Sequence, residues 1–173
     1  MSVPVWSLLV KVGFTPREHI AWVKTHDTQL AEANLSFCGN ATAWGSWQSP
    51  SNPFCRCFLE FVLVAHKVSP SLTWQGKSDI TKEEFLRDTK NFWLLPAETN
   101  RDHPAPFALE LPTRLMKLYT YVGDTVLDPF VGSGTTVRAA TNIGRIGAGV
   151  DVSTKYLQRA ALRCSQLAAD GFF

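Results

Sequence analysis

A chain of 173 residues with 45% hydrophobic content is long enough to bury a core and too apolar to be disordered by charge. A formal net charge of +2 is too small to announce nucleic acid by itself. The four cysteines, Cys38, Cys55, Cys57 and Cys164, form no Cys-x-x-Cys pair, so reduced thiols and no metal centre are expected.

From the start, the apolar run Val3 to Val12 is too short for a secretory signal, and Lys11 interrupts its continuation. No other stretch is long enough to span a bilayer, so a cytoplasmic chain without membrane contact is expected. Arg17 to Lys24 and Phe58 to Ala65 read as strands, joined by a long aromatic and glycine-containing loop that carries Trp44, Ser46, Trp47 and Ser49. Residues 68–102 read as a short polar insertion. Within and beside it Lys67, Lys77, Lys82, Arg87, Lys90 and Arg101 are offset by Asp79, Glu83, Glu84 and Asp88, a pattern that suits a solvated face or phosphate contact.

The remainder, 103–173, is more specific. Pro112 fits the first turn of a helix, on which Leu115, Leu118 and Tyr119 form an apolar stripe. Val126 and Leu127 suit a buried strand that ends at Pro129, which cannot donate to a ladder. Gly132 and Gly134 then permit a tight loop, and Thr135 and Thr136 open a helix running to about Ile143, with Gly144 as its stop. Unpaired amides and the positive end of the helix dipole face that loop, so a polar or anionic group is welcome there. A second strand over Ile146 to Val152 carries Asp151, about twenty residues past the loop, a spacing at which an acid commonly holds ribose hydroxyls. Asp128 is a similar candidate, its other role being to accept loop amides. A last helix from Ser153 places Tyr156, Leu157, Ala160, Ala161, Cys164, Leu167 and Ala168 on one face.

The loop itself discriminates among cofactors. No Lys follows Gly134, which disfavours a phosphate-binding loop, and Val137 stands where a dinucleotide loop has its third glycine. Asp128-Pro-Phe-Val-Gly-Ser-Gly-Thr-Thr136 instead resembles the S-adenosylmethionine loop of DNA amino-methyltransferases, Asp-Pro-Phe-x-Gly-Ser-Gly-Thr-Thr, at every fixed position. His103-Pro-Ala-Pro-Phe107, the Leu109 to Leu115 helix, Trp44 to Pro53, Phe58 to Lys67 and Ile80 to Phe85 also resemble segments of this family, in its circularly permuted branch whose cofactor loop lies near the C-terminus.

The resemblance implies an α/β, Rossmann-like S-adenosylmethionine-dependent methyltransferase fold and transfer of a methyl group to the exocyclic amine of adenine or cytosine in DNA. It implies cofactor contacts from His103, Pro104, Ala105, Pro106, Phe107, Asp128, Pro129, Phe130, Gly132, Ser133, Gly134, Thr135, Thr136 and Asp151. Trp44, Ser46, Trp47, Ser49 and Lys77 are candidates for DNA or the target base.

The family's Asp/Ser-Pro-Pro-Tyr motif, which holds the target amine, is not found here: no Pro-Pro dipeptide occurs in the sequence. The expectation is one partial methyltransferase domain with an incomplete sheet and no catalytic residue of its own, in three parts: 1–67, 68–102 and 103–173. The strands around Ile20 and Val62 and the strand at Val126 are expected to leave inner edges unpaired. A complementing chain or a second copy would then be needed, as in a split enzyme of a restriction-modification system. A truncated remnant, or a module that holds S-adenosylmethionine or DNA without methylating, is the alternative. An RNA or small-molecule methyltransferase is disfavoured, because the resemblance to the DNA branch runs through both halves.

Overall fold

The computed structural model describes residues 2–25, 46, 48–53, 59–69, 71, 75–96, 98 and 107–169. It divides into two units, Met1–Leu72 with Lys90–Ala97, and Thr73–Thr89 with Glu98–Phe173. Residues 68–102, expected as one insertion, are thus shared between the two.

The first unit begins with helix α1 (Ser2–Lys11), which ends where Gly13 takes a φ of 88° and Phe14 donates its amide to the Leu9 carbonyl at 2.9 Å. Strand β1 (Thr15–Thr25) follows, then β2 (Leu59–His66) and β3 (Phe92–Pro96), in the order β2-β1-β3. β2 runs antiparallel to β1, with Ile20 opposite Val62, and β3 runs parallel, with Trp22 opposite Trp93. Directly opposed residues share a face. Ile20, Trp22, Trp93 and Leu95 therefore bury one side of this sheet together, while Phe61 and Phe92 flank Ala21 on the other and stay half exposed.

The pairing corrects one expectation. β1 is the central strand, not one with an unpaired inner edge, because Phe92-Trp-Leu-Leu-Pro96 supplies its second neighbour. The run falls inside the expected polar insertion; it is a strand because it pairs along its length with β1 and buries Trp93 and Leu95.

In the second unit, helix α2 (Lys82–Asp88) opens with a capping box in which the Thr81 hydroxyl accepts the Glu84 amide and the Glu84 carboxylate accepts that of Thr81. Helix α3 (Glu110–Tyr119) has Pro112 in its first turn, as expected. Its buried line is Leu111, Pro112, Arg114 and Met116, however, displaced from the expected Leu115, Leu118 and Tyr119 stripe, which is only partly buried. Strand β4 (Thr125–Asp128), helix α4 (Thr135–Asn142), strand β5 (Ile146–Gly149) and helix α5 (Thr154–Ala169) complete the unit.

β4 and β5 pair in parallel from Thr125 opposite Ile146 to Asp128 opposite Gly149. Met116 of α3 packs with Ala139 and Ala140 of α4, and Leu109, Val126 and Ile143 close around them. Along α5, Tyr156, Leu157, Ala160, Arg163 and Cys164 turn inward, whereas Ala161 is exposed and does not belong to the buried line. Among the described residues the β4–β5 sheet has two strands, and Leu127 on β4 is 62% exposed. Parallel strands are ordinarily covered on both faces, so this is an incomplete sheet.

Candidate cofactor site

The site is built at the carboxyl ends of β4 and β5. Asp128 closes β4 and its carboxylate accepts the Phe130 amide at 3.0 Å, turning the chain at Pro129. The Val131 amide then donates to the Val150 carbonyl at 2.9 Å, which ties the loop to the end of β5. Asp151 makes the next tie: one oxygen accepts the Gly132 amide at 2.9 Å and the other accepts the Ser153 amide at 2.8 Å. Its carboxylate thus bridges the glycine loop and the turn into α5. The loop-organising role weighed for Asp128 belongs to both aspartates.

Gly134 donates to the Val131 carbonyl at 2.9 Å and adopts a φ of 85°, so α4 starts from a left-handed residue. A Cβ on Gly134 would come within 3.0 Å of the Ala160 Cβ, which shows how closely α5 backs the loop. β5 makes similar room elsewhere. A Cβ on Gly149 would lie 2.5 Å from the Val131 side chain, and one on Gly147 would lie 2.9 Å from the Val137 backbone. The strand expected over Ile146 to Val152 ends at Gly149, so Asp151 lies past it in the turn into α5, and the alternating glycines let the loop and α4 lie directly on β5.

With those amides committed, the amides of Ser133, Thr135 and Thr136 carry no backbone or side-chain acceptor among the described residues, apart from bonds inside α4. The first turn of a helix leaves such donors unpaired and adds the positive end of its dipole. Beside them two apolar side chains stand in solvent, Phe130 at 83% and Val152 at 104% exposure. Carboxylates, free amides and bare apolar side chains at one rim suit a ligand with hydroxyls, an anionic group and a flat ring.

Two arginines outside the expected set are engaged in this unit: Arg163 donates to the Ser133 carbonyl of the loop at 3.1 Å, and Arg145 lies at the other, amino end of β5. Arg145 precedes β5 with its side chain fully buried. All five of its N–H groups find acceptors: the Asp79 carboxylate at 2.6 and 2.7 Å, the Thr120 hydroxyl at 3.1 Å, and the carbonyls of Thr120 and Ile143 at 3.0 and 2.8 Å. The hydrogen bonds from Arg145 hold the Asp79 carboxyl below its ordinary pKa, despite opposing burial. Lys117 does the same for Glu84 through a 2.7 Å bond, helped by the Thr81 amide. Asp88, 1% exposed, takes Arg87 at 2.6 Å and Arg114 at 3.2 Å. Asp79, Glu84 and Asp88 are therefore engaged by cations, three of which lie outside 68–102. A lone Arg between Gly144 and an apolar strand is the sequence signal that could have found Arg145.

A cavity of about 240 Å³ lies among Phe107, Leu111, Pro112, Leu115, Met116, Val126 and Thr136. Phe107 and Thr136, both expected at the cofactor pocket, meet there. His103, Pro104, Ala105 and Pro106 lie outside the described residues, as do Trp44 and Trp47. Ser46 and Ser49 belong to the first unit, in a turn that uses their hydroxyls internally. Ser46 Oγ donates to the Ser49 carbonyl at 2.7 Å and accepts the Asn52 amide at 2.9 Å, and Ser49 Oγ donates to Ser51 Oγ at 3.0 Å. Lys77 is exposed in the second unit, where its carbonyl accepts the Val122 amide at 3.0 Å. Among the described residues no three His, Cys, Asp or Glu side chains gather as a metal site, and no helix is long and apolar enough to cross a membrane.

The chain is similar to several type II methyltransferases. It is 39% identical over 118 residues to the type II methyltransferase M.BglI of Bacillus subtilis, covering 67% of this chain and 34% of that protein. It is 32% identical over 158 residues to M.MjaI of Methanocaldococcus jannaschii, covering 84% of this chain and 48% of the relative. The chain thus spans between a third and a half of the length of these relatives. TTHA0409 of Thermus thermophilus, provisionally described as a DNA modification methylase and solved with S-adenosyl-L-methionine, superposes with a TM-score of 0.72 at 28% identity, covering 95% of this chain and 59% of that one. The fold is that of the S-adenosylmethionine-dependent methyltransferases. The N6/N4 methyltransferase profile, described as DNA methylase, matches residues 5–162, and the chain belongs to that family.

Proposed function

We propose that these residues form the S-adenosylmethionine-binding part of a site-specific DNA amino-methyltransferase acting on adenine N6 or cytosine N4. The observation that carries the reading is the Asp128 to Thr136 loop, seated between β4 and α4 and tied to Asp151. Its donor set fits the cofactor. Asp151 spends one acceptor position per carboxylate oxygen on Gly132 and Ser153, which leaves lone pairs for two ribose hydroxyls. Phe130 and Val152 would flank the adenine ring, and the amides of Ser133, Thr135 and Thr136 would receive the carboxylate. Phe107 and the preceding His103 to Pro106 would complete the pocket by likeness to the family.

When bound, S-adenosylmethionine supplies an electrophilic sulfonium methyl. The work of this chain is to hold and orient it. An exocyclic amine is a poor nucleophile, because its lone pair is delocalised into the ring. Acceptors for its hydrogens and an aromatic face for the flipped base are therefore required. The Pro-Pro motif that provides them in the family does not occur in the 173 residues. Methylation then needs further residues, in the same polypeptide, a complementing chain or a second copy. DNA is the proposed partner, met through Trp44, Trp47 and Lys77, and the cytoplasm the proposed compartment. The same missing motif favours, as second reading, a module that holds S-adenosylmethionine or DNA without methylating.

Titration calorimetry with S-adenosylmethionine and S-adenosylhomocysteine tests the site directly. Saturable one-to-one binding of both is expected. A folded chain that binds neither would overturn the assignment.

A further inference from the structure

We infer that Arg163 on α5 is a positioning residue for the glycine loop, and that it sets cofactor affinity without touching the cofactor. The inference rests on the cofactor reading for its consequence, though not for its geometry. Arg163 donates from a terminal guanidinium nitrogen to the Ser133 carbonyl at 3.1 Å, thirty residues away in the chain. The peptide joining Ser133 to Gly134 is thereby held at both ends, since the Gly134 amide donates to the Val131 carbonyl at 2.9 Å. The peptide joining Val131 to Gly132 is held likewise, its carbonyl by Gly134 and its amide by Asp151 at 2.9 Å.

Two of the loop's peptide planes are therefore fixed in rotation, and the amides left over are those of Ser133, Thr135 and Thr136. The Ser133 carbonyl is the only one of the four pinned ends that a side chain from α5 secures. Without it the Ser133–Gly134 plane is held at its amide end alone, through the Val131 carbonyl, and Gly134 at a φ of 85° has no side chain to resist its tilting. Rotation would redirect the neighbouring amides and lose the preorganisation on which ligand affinity depends. Ala160, one turn earlier on α5, packs against Gly134 at the same place, so a small residue and a cation three positions apart back the loop together.

The test compares Arg163→Met, Arg163→Lys and a control, Lys155→Met, which removes a charge from an exposed position on the same helix. Amide exchange over 131–136 reads the loop without ligand, and calorimetry reads S-adenosylmethionine affinity. Arg163→Met should raise exchange at Gly132 and Gly134 and weaken binding roughly tenfold, the scale of one lost charge-assisted hydrogen bond. Arg163→Lys should recover most of both, and Lys155→Met should change neither. Unchanged exchange and affinity in Arg163→Met would overturn the inference, as would equal loss of thermal stability in the Met and Lys variants, which marks a residue that only holds the fold. Faster loop exchange in Arg163→Met with no cofactor binding by the unaltered chain would sink the cofactor reading and leave the loop geometry standing.

Discussion

Replacing Asp79 by Ala should be among the most damaging single changes in the second unit. The Arg145 side chain is fully buried and directs two of its five N–H groups at the Asp79 carboxylate. Without that carboxylate, a desolvated guanidinium keeps its charge, because Arg does not deprotonate in proteins, and two donors lose their acceptor. Breaking a buried ion pair from one side costs about 3 to 5 kcal/mol. Asp79 is 26% exposed on its side chain, which allows some water to enter, so we expect about 3 kcal/mol. Arg145→Met should cost less, about 1 to 2 kcal/mol, since an apolar chain fills the space and Asp79 can hydrate. The carbonyls of Thr120 and Ile143 account for most of that cost. The double variant should then be little worse than Arg145→Met alone, a coupling of roughly 2 kcal/mol between the two sites. Urea unfolding followed by circular dichroism, with amide exchange read at Thr120 and Ile146, gives all four corners of the cycle. A loss below about 1 kcal/mol for Asp79→Ala, or strict additivity, would refute the reasoning.

Other perturbations have equally definite outcomes. Asp79 and Glu84 both have folded pKa values below their ordinary values of 3.8 and 4.5, so their contribution is complete above those values and is lost as the pH falls below them through the lowered folded values; acid unfolding monitored below about pH 4.5 should show a loss of stability that Asp79→Ala reduces, leaving the share of Glu84. Asp151→Ala should weaken S-adenosylmethionine binding by about 1.5 to 3 kcal/mol in calorimetry, from lost charge-assisted bonds. Gly134→Val should be worse than Asp151→Ala in the same titration, because it forces a branched residue to a φ of 85° and into Ala160. The isolated chain should transfer no tritium from labelled S-adenosylmethionine to mixed DNA; robust transfer by a verified monomer would show that the amine is held by residues other than a Pro-Pro motif.

The part of this fold legible in the sequence is the part governed by short-range rules. Val126 to Asp128 as a strand, the loop after Pro129, the helix from Thr135 and its end at Gly144 all follow from local backbone preferences, and the structure has each of them. Pairing depends on partners distant in sequence, and there the sequence says less. Phe92 to Pro96 is too short to show a period of two, so it merges with the polar residues before it until Trp22 opposite Trp93 identifies it as a neighbour of β1. The helix at Ser2 to Lys11 likewise reads only as an apolar run. Site residues at loop positions are legible because a glycine loop has few ways to close. Arg163 is not, since it acts on a carbonyl thirty residues away and nothing local marks it for that; for Arg145 the place between Gly144 and an apolar strand is a signal, but its carboxylate partner, 66 residues away, is not legible.

Asp151 joins the two kinds of inference. Read from spacing, it is a ribose ligand; read from geometry, it closes the loop through Gly132 and Ser153. These roles are compatible because an ionised carboxylate has about four acceptor positions and the backbone uses two. A ligand hydroxyl can therefore add to Asp151 without displacing either amide. The loop is shaped before the ligand arrives, and binding need not supply the free energy to order it. Asn at this position would keep one acceptor oxygen and place two N–H donors against the Gly132 or Ser153 amide, a clash of like groups. The substitution that preserves size best should thus disturb the loop as much as Ala does, and amide exchange at Gly132 and Ser153 in Asp151→Asn, without any ligand, separates the two roles of this carboxylate.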